Sequence, residues 1–85
     1  MAINANRRFN KYGFKFYVQN LANADRKDGY KYCLSMIDEK EHYNLVYDKI
    51  TWELPKFKTI KDAHRWVWFH SGEGEFIGTS KEWEQ

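Results

Sequence analysis

The sequence predicts an α+β fold: a three-stranded antiparallel meander with one C-terminal helix packed on one face, in the order β-β-β-α. Three observations predict it. Apolar and polar residues alternate with the period of a half-buried strand around Phe14–Val18, Tyr32–Met36 and Ile50–Leu54. The segment FKTIKDAHRWVWFH, residues 57–70, carries a helix start, a helical apolar face and a stop. Turn-forming stretches separate the alternating runs, so neighbouring strands connect as hairpins.

The helix is the most sharply defined element. Thr59 followed by Asp62 has the spacing of a capping box, in which the hydroxyl accepts from the first free backbone N–H groups, so the helix begins at Ile60. At about 100° per residue, Ile60, Ala63 and Val67 fall on one side with His64 and His70 at its margins. Trp66 and Trp68 flank that side on opposite edges, and Phe69 points away from it. Ser71-Gly72 supplies the stop, because glycine takes the left-handed conformation after a helix without a Cβ penalty.

Taken in order, residues 1–10 show neither periodicity and read as a flexible arm, leaving 11–85 as a single domain. Tyr12, Phe14, Phe16 and Val18 face the core of the first strand, opposite Lys15, Tyr17 and Gln19. Asn20 to Gly29 is a polar loop whose strongest turn signal is Asp28-Gly29. Tyr32, Leu34 and Met36 face inward from the second strand, with Lys31, Cys33 and Ser35 outward. The third strand follows Tyr43, with its face switching near Asp48, so that Ile50, Trp52 and Leu54 turn inward and Lys49 and Thr51 outward. Pro55 ends it, having no N–H to donate. Phe76-Ile77 forms a short fourth edge strand, and Trp83 folds back over the helix.

Composition bounds the function. Eighty-five residues make one small domain, and four tryptophans, six tyrosines and six phenylalanines supply buried area in place of length. One cysteine excludes an internal disulfide framework and places the chain in a reducing cytoplasm. No apolar run has the length of a membrane span, so no membrane partner is expected. No nucleophile, base and oxyanion hole can be assembled, and the expectation is a chain that is not an enzyme and carries no cofactor. His64 and His70 lie about 120° apart on the helix and cannot clamp one metal ion as an i, i+4 pair would. Gly72, Gly74 and Gly78 follow a helix and sit among glutamates, the wrong setting for a phosphate loop.

Two kinds of binding remain. In the first, Arg65, Trp66, Trp68, Phe69 and Trp83 exceed what the core needs, and Trp with Arg dominates interface energetics when buried in a partner's pocket. The partner is another protein, a nucleic-acid-handling enzyme among the candidates, or a second copy in a homodimer. In size and composition the chain resembles small accessory proteins of phages and mobile elements, anti-CRISPR inhibitors among them. That resemblance implies an inhibitor that occludes a partner surface.

In the second, the sheet face away from the helix binds nucleic acid. Lys15, Lys31 and Lys49, with Lys11, would neutralise phosphates, Tyr17 would stack, Gln19 would read base edges, and Arg7 and Arg8 would enter a groove as an arm. Over Tyr30 to Trp66 the pattern of Phe57, Thr59 and Ala63 leading into the helix resembles the AP2 and integrase arm-binding β-β-β-α domains. The resemblance implies a sheet that docks in the major groove, although this chain lacks the dense arginines of that pattern.

Overall fold

The computed structural model describes residues 6–70 and 77–83, with no account of the side chains of 82 and 83. The chain is α+β. Among the described residues an antiparallel sheet has strands in sequence order: β1 (Arg8–Lys11), β2 (Phe14–Asn20), β3 (Tyr32–Ile37), β4 (Tyr43–Asp48) and β5 (Ile77–Thr79). Helix α1 (Ile60–His70) lies between β4 and β5 in the chain, and a single turn, α2 (Ser80–Trp83), follows β5.

The meander is therefore wider than the three strands expected. The first added strand comes from the arm: Arg8, Phe9 and Asn10 pair with Tyr17, Phe16 and Lys15, so the expected arm belongs to the sheet from Arg8 onward. Tyr12 and Gly13 connect β1 to β2 with φ of 52° and 80°. Positive φ at both central residues is the geometry whose twist matches paired strands. Tyr12 is thus a turn residue, 51% exposed, and not a core one. The second added strand, β5, holds Ile77 as expected, while Phe76 and the Ser71-Gly72 stop lie outside the described residues.

The third strand is displaced. Ile50, Trp52 and Leu54 were expected inside a strand, but β4 ends at Asp48 and the chain turns there. The Asp48 carboxylate accepts from the Ile50 and Thr51 N–H groups at 2.9 and 3.4 Å. Its backbone closes the turn through Trp52 N–H at 2.6 Å and Glu53 C=O at 3.0 Å. An Asx turn has overridden an accidental alternation. Ile50 is 66% exposed, and Lys49 and Thr51 belong to this turn instead of a sheet face. After Pro55, Phe57 exchanges backbone bonds with Tyr32 at 2.9 and 3.0 Å, which delivers the chain to α1 beside the start of β3.

Cross-strand partners share a face, so the register assigns the core. Phe16, Val18, Leu34, Val46 and Ile77 meet Phe57, Ala63 and Val67, and all are buried. Phe14 occupies the same face at the strand end but is 46% exposed, and Met36 and Tyr32 are half-buried. The helix begins as expected, with Thr59 Oγ1 accepting from Asp62 N–H at 3.1 Å.

Two substitutions test this account. Gly13→Ala adds a Cβ that meets nothing within 4 Å, so its cost is the left-handed backbone alone, about 1–2 kcal/mol. Thr59→Ala removes the helix cap and costs about 1 kcal/mol. Urea denaturation should lower the midpoint in both; an unchanged midpoint would show that the turn relaxes or the cap is redundant.

Candidate functional site

The edge of α1 is set by its fit to β1. Residues two apart on a strand lie about 6.8 Å apart, and residues four apart on a helix about 6 Å. Phe9 and Lys11 therefore step along β1 in near register with His64 and Trp68 on α1. The His64 ring stacks on Phe9 at 3.8 Å between centroids, and its Nε2 donates to the Asn6 carbonyl at 2.7 Å. One turn on, Lys11 Nζ sits 3.1 Å from the centre of the Trp68 ring and 4.7 Å from that of Tyr12.

This contact fixes Trp68 without burying it. Trp68 is 59% exposed and Phe69 78% exposed, and Arg65 is exposed on the same outward side of α1. Of the five protein-binding residues expected, these three stand together in solvent. Trp66 does not join them. It is half-buried, edge-on to Phe57 at 6.2 Å and stacked on His70 at 4.4 Å, closing the opposite flank of the core. Trp83 falls in α2, and its side chain lies outside the described residues. Half-buried Lys11 and exposed Tyr12, assigned elsewhere by sequence, complete the cluster. Nearby, Phe14, Met36, Asn44 and Thr79 line a groove of about 680 Å³ from helix-side positions of four strands.

The expected basic face divides. Arg8, Lys15, Tyr17 and Gln19 do share the sheet face away from α1. The other four do not. Arg7 holds β2, donating to the Val18 carbonyl and Asn20 Oδ1 at 3.2 Å, with its guanidinium 5.5 Å from the Tyr32 ring. Lys11 is on the helix side against Trp68, Lys31 precedes β3, and Lys49 is in the turn after β4. Gln19 is also committed, since Ser35 Oγ donates to its Oε1. Sequence reasoning missed Tyr43, whose hydroxyl accepts from Arg8 and whose ring meets that of Tyr17 edge-on at 5.3 Å. The available signal was the alternation of Tyr43, Leu45 and Tyr47 with Asn44, Val46 and Asp48.

Cys33 lies buried on this second face. Burial pushes its thiol up to about 11, against a smaller opposing effect of the Gln19 side chain and a small reinforcing one from Asp25. In the β3–β4 turn, the Asp38 carboxylate is held below its usual range, chiefly by the His42 N–H, with Asn44 and Lys40 also donating to it. No group of three His, Cys, Asp or Glu side chains suited to a metal ion occurs among the described residues. No described helix is long and apolar enough to cross a membrane. Comparison with protein-family models, curated proteins and solved structures finds no match to this chain.

The Cys33 environment gives a measurable outcome. At pH 8 the native thiol should react with a disulfide reagent far more slowly than in denaturant, because it is both covered and protonated. Well below the ordinary thiol value of 9.0 the group is neutral in both states and stability does not respond to it. As pH rises from there towards about 11 the unfolded thiol ionises first, so stability falls across that window. Native labelling at the denatured rate would show that the second face is open at Cys33.

Proposed function

We propose that this chain is a small non-catalytic protein-binding module that occludes a surface of its partner, using Lys11, Tyr12, Arg65, Trp68 and Phe69. The observation that carries the reading is the exposure of Trp68 and Phe69, 59% and 78%, on a helix whose core side is already filled by Ala63 and Val67. Large apolar rings held in water gain most when a partner desolvates them. Trp68 is also held in place by Lys11, so less side-chain freedom is lost on docking.

Charge supports the same residues. Lys11 and Arg65 accompany the rings, and Lys61 is exposed one turn before Arg65. Such a cluster suits a pocket that takes an aromatic side chain and offers carboxylates at its rim.

The test compares Trp68→Ala and Phe69→Ala with the parent chain in capture from nuclease-treated lysate. Each should weaken capture by about 30-fold, the size of a hot-spot residue. Phe69→Ala should change stability by less than about 0.5 kcal/mol, as surface substitutions do. Loss of folding would make these rings core residues, and unchanged capture would remove them from the interface. A concentration-dependent dimer dissolved by Phe69→Ala would identify the partner as a second copy.

A further inference from the structure

The sheet face away from α1 is shaped differently from the aromatic cluster. The register sets Arg8, Tyr17, Ser35 and Leu45 in one row across four strands, and Asn10, Lys15, Ile37 and Tyr43 in the next. Arg8 and Tyr43 have two strands between them, a backbone separation of about 14 Å at 4.8 Å per strand. Their side chains nevertheless meet, with Arg8 Nη2 donating to the Tyr43 hydroxyl and its guanidinium 5.9 Å from the Tyr43 ring centre. They can meet only by lying along the sheet. Tyr17 packs edge-on against Tyr43, and Ser35 beneath them has no exposed surface.

The result is a platform on which Arg8 and Tyr43 lie along the sheet while the Tyr17 ring stands at 90° to that of Tyr43. Tyr43 keeps 44% of its surface in water, and Arg8 and Lys15 are exposed. Strand positions on this face carry two cations and no carboxylate among the described residues; Glu39 and Glu41 stand in the β3–β4 turn beyond the strand ends. An exposed tyrosine ring with flanking cations matches unpaired bases, whose π faces stack regardless of sequence while the backbone follows the charges.

We infer that this platform binds single-stranded nucleic acid, with Tyr43 and Arg8 as the stacking surface and Arg8 and Lys15 opposite phosphates. The surface is separate from the one proposed for protein capture, so either can fail without the other.

Fluorescence anisotropy with a labelled oligothymidylate of about twelve nucleotides tests it, alongside a duplex of the same length. Two neutralised phosphates predict a roughly sevenfold loss of affinity between about 50 and 200 mM salt. Tyr43→Ala should weaken binding by about tenfold, as loss of one stacking ring does, while Tyr43→Phe should retain most of it. Arg8→Ala, on the exposed edge strand, reads the same surface without touching the core, and circular dichroism confirms that each variant is folded. Phe69→Ala should bind the oligonucleotide as the parent does. Absence of binding at the lower salt, tighter binding of the duplex, or parental affinity in both Tyr43→Ala and Arg8→Ala would overturn the assignment. So would loss of binding in Phe69→Ala, which would move the site to the aromatic cluster.

Discussion

One helix must shield a sheet wider than itself. Five strands at about 4.8 Å spacing span about 19 Å between edge axes, whereas a helix with its side chains is about 10–12 Å across. Ala63 and Val67 allow α1 to sit close over Phe16, Val18, Leu34 and Val46, but neither flank is reached by small side chains. Aromatic rings make up the difference. Phe9 and His64 close the β1 side, and Phe57 with Trp66 closes the other. Much of the chain's aromatic content thus follows from width, and only the rings beyond those flanks call for another explanation.

The helix and the inner strands were legible because their signals are local and strong. Thr59 and Asp62 marked a start that the cap hydrogen bond occupies, and the alternation through Phe16, Val18 and Leu34 gave the correct face. The edges were not legible. In Arg8–Lys11 only Phe9 is apolar, and a four-residue strand with one inward hydrophobe is indistinguishable from an arm until its partner is known. Tyr12-Gly13 hid the hairpin, since a tyrosine in the left-handed region is not a usual turn signal. At Asp48 two local rules competed, and side-chain hydrogen bonding to the turn won over the period of Ile50, Trp52 and Leu54.

The candidate surfaces followed the same division. Helical angle alone was enough to send Phe69 outward and Trp68 to the margin, and both are exposed. It was not enough for Trp66, whose margin is filled by Phe57 arriving from a distant bridge to Tyr32. Likewise Arg7 and Arg8 are adjacent in sequence but fall on opposite sides of the sheet. One holds a β2 carbonyl and the other reaches Tyr43, and only the pairing of β1 with β2 decides which does which.

The brevity of the two border strands limits how this molecule can meet another. β1 has four residues, two of them basic, and β5 has three. Free backbone groups on such short margins offer too little length to recruit an incoming chain by ladder extension, and the positive charge on β1 repels a like-charged copy. Growth of the described sheet into a fibril is thereby disfavoured at both of its borders.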